Sequence, residues 1–322
     1  MIRLTDDIVR HARSIVRASM RPTPQIAWPL LAERTGAEVW VKHENHTPIG
    51  AFKIRGGLVY MDWLKHAHPE VGHVISATRG NHGQSIARAA TANGFASTIY
   101  VPRGNSVEKN AAMRAFGARL VEHGEDFDEA REEAERQGDA LGAWKIPSFD
   151  EQLVFGVSTY GLELFEAAPD LHTVYVPIGM GSGMCGLIAA RDHLGLSTRI
   201  VGVVMEQLPA YALSFEAGKV VTSPPAPTIA DGMATRIPHP DALAMIRAGG
   251  ERIVRVNERS VRAAMRHYLT DTHNLAEGAG AAPLAALLDE REQMRGRKVG
   301  VILSGGNVDM SWLSSLLANE TA

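Results

Sequence analysis

Short, almost entirely apolar segments alternate with helical patterns along most of this chain, and no other feature constrains its fold as strongly. Five of these segments are HVISA (73–77), STIYVP (97–102), TVYVPIG (173–179), RIVGVVM (199–205) and KVGVILSGG (298–306). Strands buried on both faces have this composition, and they occur in parallel sheets that are covered by helices. The alternation therefore predicts an α/β protein with two doubly wound units of mostly parallel sheet and a cleft between them.

Charge and cysteine content exclude several classes of site and partner. The 322 residues carry 33 basic and 36 acidic side chains, and a net charge of -3 predicts neither a nucleic-acid partner nor attraction to an acidic membrane. The single cysteine, Cys185, cannot form an intramolecular disulfide or a cysteine-based zinc site, and no H-E-x-x-H spacing indicates another metal centre. Asp6 and Asp7 interrupt any signal-peptide core, and no apolar run approaches the ~18 residues of a membrane span. We expect a cytoplasmic protein without a metal site.

Ligands of such folds bind beyond the carboxyl ends of the strands, and four loops at such positions carry unusual residues. The first is A-F-K-I-R-G-G (51–57), in which Lys53 lies between Phe52 and Ile54 at a junction of loop and helix. A lysine in apolar surroundings has a lowered pKa and can act as a nucleophile or a base. The alternative is a surface lysine whose stem packs on apolar neighbours while its amine reaches water.

The second loop, S-A-T-R-G-N-H-G-Q-S (76–85), follows a strand and opens a helix. Its backbone N–H groups, together with Thr78, Asn81 and Gln84, form a cradle for a carboxylate or a phosphate. Ordinary capping of the helix by Thr78 or Asn81 explains the same residues. His82 is either a ligand or a hydrogen-bonded structural residue.

The third loop, P-I-G-M-G-S-G-M-C-G (177–186), connects a strand to a helix, and its glycines let consecutive amides surround a phosphate. It also contains G-x-G-x-x-G at Gly181, Gly183 and Gly186, and Glu206 ends the next strand twenty residues later. This is the spacing of a dinucleotide-binding site, so an NAD-dependent dehydrogenase stays open as an alternative.

The fourth loop, L-S-G-G-N (303–307), ends the last strand, where the hydroxyl of Ser304 can donate to a ring nitrogen or accept from an amide. A simple turn at Gly305 and Gly306, with Ser304 bonding to local backbone, is the alternative.

In this order, A-F-K-I-R-G-G, G-N-H-G-Q, G-M-G-S-G and S-G-G-N resemble the fold type II pyridoxal-phosphate enzymes. Among these enzymes the chain is similar to the threonine and serine dehydratases, with serine racemase as a close relative, from about Thr23 to Asp309. The resemblance implies a fold like that of the tryptophan synthase β subunit. Residues 1–65 and 151–322 would form a large cofactor-binding domain, and residues 66–150 a small domain with the substrate loop. It also implies a homodimer of the short form, without a regulatory domain.

The resemblance implies a role for each motif. Lys53, beside Phe52, would bind pyridoxal 5'-phosphate covalently and serve as the catalytic base. Asn81 would contact the 3-hydroxyl of the cofactor, and Ser304 would contact its pyridine nitrogen. The phosphate would be bound by the backbone amides of Gly179, Met180, Gly181, Ser182 and Gly183. The substrate carboxylate would be bound in the loop formed by Thr78, Arg79, Gly80, Asn81 and His82.

The implied reaction converts a β-hydroxy-α-amino acid, by default threonine or serine, to a 2-keto acid and ammonia. A β-replacement reaction like that of cysteine synthase is the alternative within the same fold. Arg79 stands where serine racemase has its second catalytic serine, so the resemblance does not imply racemisation. Val204 and Ala210 stand where the racemase-like branch has metal-binding acids, so it implies no divalent cation. Arg79 either pairs with an acidic residue of the protein or contacts a substrate with a larger or acidic side chain, such as 3-hydroxyaspartate.

Overall fold

The computed structural model describes residues 2–318, which fold around two separate sheets. The strands of this part of the chain are β1 (Gln25–Ala27), β2 (Glu38–His43), β3 (His73–Ala77), β4 (Ala96–Val101), β5 (Arg119–Glu122), β6 (Trp144–Lys145), β7 (Thr173–Pro177), β8 (Arg199–Met205), β9 (Arg252–Val256) and β10 (Lys298–Leu303). The larger sheet has the order β1-β2-β10-β7-β8-β9, and the smaller has the order β5-β4-β3-β6. All neighbouring strands are parallel except β1 and β2. The prediction of an α/β fold with mostly parallel sheets is confirmed.

Helices connect these strands throughout the described chain. They are α1 (Asp6–Ser19), α2 (Pro29–Thr35), α3 (Lys53–Ala67), α4 (Asn81–Asn93), α5 (Val107–Ala115), α6 (Phe127–Leu141), α7 (Glu151–Ala167), α8 (Ser182–His193), α9 (Ala210–Ala217), α10 (Pro240–Gly249), α11 (Glu258–Thr272), α12 (Gly278–Asp289), α13 (Arg291–Met294) and α14 (Met310–Ala318). Short 3-10 turns lie at Glu44–His46 and Asp231–Met233. Within residues 2–318, no helix combines the length and the apolar character that a bilayer crossing requires.

Among the strands outside the five apolar segments, β1, β6 and β9 lie at the edges of their sheets. They are short or carry charges, as in the R-I-V-R-V sequence of β9. An edge strand is less enclosed than a central one, so it lacks the continuous apolar composition on which the prediction relied. The small sheet uses strands from residues 73–145 only. The domain limits at residues 65 and 150 stay predictions.

The first turn of α3, which begins at Lys53, is held between α4 and α7. In α7, a Cβ atom added to Gly156 would lie 2.1 Å from the carbonyl oxygen of Arg55, so only glycine permits this close approach of the two helices. In α4, the hydroxyl of Ser85 donates to the carbonyl oxygen of Lys53 at 2.7 Å. The close packing against α7 and the hydrogen bond from α4 therefore fix the backbone at Lys53.

Four buried charged side chains, here called the Arg55 cluster, lie two residues further along α3. They are Lys42, Glu44, Arg55 and Glu163. Arg55 Nε contacts Glu44 Oε2 at 2.7 Å, and Arg55 Nη2 contacts Glu163 Oε2 at 2.8 Å. Lys42 Nζ also contacts Glu163 Oε2, at 2.6 Å. Two cations face two carboxylates with little or no exposure, so the charges balance and the cluster ties β2 and α7 to the start of α3.

Candidate active site

Three of the four loops selected from the sequence are joined by direct hydrogen bonds. The amide of Phe52 in the first loop donates to the carbonyl oxygen of Ser304 in the fourth, at 2.9 Å. The side-chain amide of Asn307, also in the fourth loop, donates to Asn81 Oδ1 in the second, at 2.7 Å. The loops come from different strand ends, and the parallel sheets bring those ends together.

Lys53 is the first residue of α3, and its amine lies 5.2 Å from the centre of the Phe52 ring. Among residues 2–318, the Lys53 amine has no hydrogen bond or ion pair. Burial disfavours the charged ammonium and lowers the pKa of Lys53 to about 8. These surroundings suit a nucleophile or a base, and that role of Lys53 stays a prediction.

The glycine turn between β7 and α8 contains Gly179, Met180, Gly181, Ser182 and Gly183. Gly181 has φ +102°, a left-handed conformation that side chains rarely adopt. The first hydrogen bond of α8 runs from the Cys185 amide to the Gly181 carbonyl oxygen, at 2.9 Å. The amides of Ser182, Gly183 and Met184 precede it and have no partner within the helix. These donors and the positive end of the helix suit an anion, and phosphate binding by this turn stays a prediction.

Two tyrosine hydroxyls bind carbonyl oxygens of this turn. The hydroxyl of Tyr160 donates to the carbonyl oxygen of Gly183 at 2.7 Å, and its ring packs edge-on against Phe52. The hydroxyl of Tyr211 donates to the carbonyl oxygen of Met180 at 2.8 Å. Because both tyrosines bind carbonyl oxygens, they leave the amides free, and the turn is joined to the first loop through Phe52.

Thr78 stabilises the second loop locally. Its hydroxyl oxygen accepts from the amide of Gly80 at 3.0 Å and from the amide of Gly83 at 3.3 Å, and its side chain is buried. The N-cap of α4 is Gly80, so Thr78 bonds to the Gly83 amide from two residues before the cap, and neither Thr78 nor Asn81 is the capping residue. The contribution of Thr78 to substrate binding stays a prediction.

His82 is in the first turn of α4, close enough to Lys53 in α3 to feel its charge. Its Nε2 atom is buried without a hydrogen-bond partner within the described chain. Burial, together with the nearby charge of Lys53, lowers the pKa of His82 to about 3, so its ring is neutral at physiological pH. The first hydrogen bond of α4 runs from the Gln84 amide to the Gly80 carbonyl oxygen. The amides of Asn81 and His82 therefore have no partner within the helix and can bind a carboxylate.

Asn81 is the centre of a polar network that also contains Lys109, Asp231, Glu277 and Asn307, here called the Asn81 network. Asn81 Nδ2 donates to Glu277 Oε1 at 2.7 Å, while Asn81 Oδ1 accepts from Asn307. Lys109 Nζ bonds to Asp231 Oδ2 at 2.6 Å. Since an amide nitrogen carries two hydrogens, Asn81 keeps one donor for a ligand.

Glu277 has the most perturbed carboxyl group of this network. Burial, reinforced by the nearby charge of Asp231 and opposed by that of Lys109, raises the pKa of Glu277 to about 7. Its second oxygen, Oε2, is buried and has no partner among residues 2–318. The carboxyl group thus changes its charge in the neutral pH range, next to a residue predicted to bind the cofactor.

The remaining predicted residues occupy different surroundings. Ser304 is buried at the end of β10, while Arg79 is exposed at the edge of the second loop. Glu206, the acid of the dinucleotide spacing, is exposed just after β8. Within the described residues, no group of three or more histidine, cysteine, aspartate or glutamate side chains is placed to bind a metal ion.

Sequence reasoning assigned no role to Lys109, Asp231 or Glu277. Asp231 and Glu277 lie in T-I-A-D-G and E-G-A-G-A, two stretches within the region of family resemblance, which were the available signal. Lys109 lies in the ordinary helical sequence V-E-K-N-A-A-M-R-A, and no pattern distinguishes it.

Comparisons with known proteins identify similar chains over nearly the whole length of this one. The family model for pyridoxal-phosphate dependent enzymes matches residues 16–305. The L-threonine ammonia-lyase of Geobacter sulfurreducens is 36% identical, over 95% of this chain and 76% of its own length. Among solved structures, processed threonine deaminase isoform 2 from Solanum lycopersicum has a TM-score of 0.89 at 26% identity, covering 100% of this chain and 96% of that one. Maize serine racemase has a TM-score of 0.90 at 27% identity, covering 97% and 96%.

Proposed function

This chain belongs to the family of pyridoxal-phosphate dependent enzymes, and we propose that it is an ammonia-lyase that converts a β-hydroxy-α-amino acid to a 2-keto acid and ammonia. The observation that carries the proposal is the buried Lys53 amine, which has a lowered pKa and no partner in the described chain. The similarity of the chain to threonine ammonia-lyases, over nearly the whole chain, supports elimination over β-replacement. Threonine and serine are the default substrates.

The residues at the site fit pyridoxal phosphate. Lys53 offers a free amine for the covalent bond to the aldehyde, and the unpaired amides at the start of α8 suit the phosphate. Asn81 has one amide hydrogen left for the 3-hydroxyl. Ser304 is buried beside the first loop, where its hydroxyl suits the pyridine nitrogen. Tyr160 and Tyr211 bind carbonyl oxygens of the glycine turn, so they leave its backbone amides available for the phosphate.

When bound, the cofactor supplies an electron sink that stabilises the negative charge left at the substrate Cα. Lys53 removes the Cα proton. With a pKa of about 8, about one Lys53 amine in ten is neutral at pH 7, which is a far larger fraction than for an ordinary lysine. Neutral His82 adds no positive charge beside it, so the amine keeps its ability to accept the proton.

The start of α4 binds the substrate carboxylate in this proposal. The amides of Asn81 and His82 point out of the first helical turn, and the helix dipole favours a negative group there. Binding the carboxylate at this end places Cα towards Lys53, whose charge already acts on His82. The β-hydroxyl then leaves as water, and hydrolysis of the resulting enamine returns one water, so the products are the keto acid and ammonia.

We also propose that the enzyme is a cytoplasmic homodimer, which the family resemblance implies. Light scattering coupled to size-exclusion chromatography should give a mass of twice 34.8 kDa. A monomer would contradict this part of the proposal and leave the reaction untouched.

The proposed reaction is tested on purified protein loaded with pyridoxal phosphate. A violet-region absorption band that borohydride removes, with the cofactor mapped to Lys53, is expected. Threonine or serine should then yield equal amounts of keto acid and ammonia. A protein that binds NADH and not pyridoxal phosphate would favour the dehydrogenase alternative. A protein that forms cysteine from an activated serine and sulfide, without keto acid, would favour β-replacement.

A further inference from the structure

A cavity of about 430 Å³ lies beside Arg79, at the edge of the loop proposed to bind the substrate carboxylate. Its charged and aromatic lining residues are Arg79, Asp231, Glu258, Arg262 and Trp312. It adjoins a smaller cavity of about 70 Å³, because five residues, among them Asp231 and Arg262, line both. The smaller cavity is also lined by Glu277 and Asn307, the two partners of Asn81. Residues of the Asn81 network and the two arginines therefore line adjoining cavities.

The acidic residues of the larger cavity already have partners. Asp231 is paired with Lys109 at 2.6 Å. Glu258 accepts hydrogen bonds from Gln207 Nε2 at 2.7 Å and from Thr228 Oγ1 at 2.6 Å. Asp231 is therefore balanced by a cation other than the arginines, and Glu258 is held by neutral hydrogen-bond donors.

The two arginines have no such partners. Within residues 2–318, neither Arg79 nor Arg262 forms a hydrogen bond or an ion pair. The guanidinium of Arg262 lies over the ring of Trp312, 5.3 Å from its centre, which holds the side chain against the cavity wall. Within the described residues, the cavity wall thus carries two guanidinium groups that form no ion pair with a carboxylate. The alternative open from the sequence, in which Arg79 pairs with an acidic residue of the protein, is not found in the described chain.

We propose that Arg79 and Arg262 bind a carboxylate on the side chain of the substrate, so that the preferred substrate is a β-hydroxy-α-amino dicarboxylic acid, of which 3-hydroxyaspartate is the smallest. This inference rests on the proposed ammonia-lyase function. A guanidinium fork matches a carboxylate with two parallel hydrogen bonds, and Arg79 is only two residues from Asn81, where the α-carboxylate binds. The hydroxyethyl side chain of threonine carries no charge that could pair with either arginine.

The test compares kcat/KM for 3-hydroxyaspartate, threonine and serine in the wild type and in Arg79→Gln, Arg262→Gln and Arg259→Gln. Arg259 is the matched control, since it is an arginine of α11, as Arg262 is, but is exposed and does not line the cavity. The wild type should prefer 3-hydroxyaspartate. Arg79→Gln and Arg262→Gln should each lose about 10- to 100-fold on that substrate and less than about 3-fold on threonine, because a charge-assisted hydrogen bond is lost only there. Arg259→Gln should stay within about 2-fold on all three.

Binding separates this inference from the reaction itself. Calorimetric titration of the cofactor-loaded protein should show tighter binding of L-aspartate than of L-alanine, and Arg79→Gln should abolish that difference. A wild type that prefers threonine, equal losses across the substrates, or equal affinities for aspartate and alanine would overturn the inference. Absence of keto acid from every β-hydroxy amino acid would refute the proposed function, and the aspartate titration would still decide whether the arginines bind a carboxylate.

Discussion

Two clusters of charged side chains, the Arg55 cluster and the Asn81 network, are built in opposite ways. In the Arg55 cluster, two cations face two carboxylates, and the ion pairs of 2.6–2.8 Å leave no charge without a partner. In the Asn81 network, two carboxylates face the single cation of Lys109, and Glu277 Oε2 has no partner in the described chain. Residues of the Asn81 network line a cavity, whereas none of the four residues of the Arg55 cluster lines either described cavity.

The pKa values of the two buried glutamates show what this difference means. Burial alone would raise the pKa of Glu163, but Arg55 and Lys42 outweigh it and hold this pKa below its ordinary value. Glu277 lacks an adequate counter-charge, so burial raises its pKa to about 7. A balanced cluster is suited to fixing the backbone at Lys53, while an unbalanced one is suited to respond to a ligand and to pH.

The largest effect on turnover should come from replacing Lys53. Lys53→Ala removes both the covalent partner of the cofactor and the proposed base, so turnover should fall by more than ~10⁴-fold. The thermal unfolding midpoint should not fall, because the substitution removes a buried amine that has no partner in the described chain. Lys65→Ala, an exposed position in the last turn of α3, is the control and should leave keto-acid production unchanged. Near-normal deamination by Lys53→Ala would refute the assigned role.

Breaking the balanced cluster should mainly affect folding. Arg55→Met leaves Glu44 without a cation in a fully buried position, and such a loss costs about 3–5 kcal/mol of unfolding free energy. Arg103→Met removes an exposed pair with Glu125 and should cost no more than ~1 kcal/mol. Urea unfolding of the two variants measures both costs. Equal costs would mean that the Arg55 cluster does not hold α3 in place.

In the Asn81 network, the uncompensated Glu277 should instead make the free energy of unfolding depend on pH. A folded-state pKa above the ordinary 4.5 means that the folded protein binds the Glu277 proton more tightly than the unfolded chain does. The stabilisation is therefore complete below about pH 4.5 and is lost as the pH rises through about 7. Glu277→Gln keeps the shape of the side chain and should remove a loss on the order of 3 kcal/mol between these pH values. Cofactor-free wild type and variant with parallel stability curves from pH 4.5 to 8 would show that Glu277 is ionised throughout.

The sequence was informative where a function depends on neighbours along the chain. Lys53, Ser304 and the glycine turn each lie where a strand ends or a helix begins, so local pattern and family motif indicated them together. The partners in the Asn81 network are far apart: Asn81 and Glu277 are separated by 196 residues, and Lys109 and Asp231 by 122. Only the packing of two sheets brings them together, and no local pattern records that. The edge strands β1, β6 and β9 were missed for a related reason, since their neighbours rather than their composition make them strands.

Ser304 belongs to neither charged group, and its replacement should have the smallest effect. Its backbone carbonyl accepts the Phe52 amide at 2.9 Å, so the link between the first and fourth loops does not use its side chain. Ser304→Ala should therefore leave the unfolding midpoint nearly unchanged. It should lower kcat/KM by about 2- to 10-fold, which corresponds to one neutral hydrogen bond to the pyridine nitrogen.

Ser304→Asp separates that contact from a purely structural hydroxyl. A carboxylate at this position would favour a protonated pyridine nitrogen, because an opposite charge close by stabilises the charged form. The absorption spectrum of the cofactor-loaded protein should shift, and side reactions such as transamination should increase relative to elimination. Ser304→Ala cannot produce the spectral shift, so the pair of variants distinguishes charge at the ring from loss of packing. If neither the spectrum nor the product ratio changes in Ser304→Asp, the side chain does not contact the ring, and Ser304 serves only the turn that its carbonyl holds to Phe52.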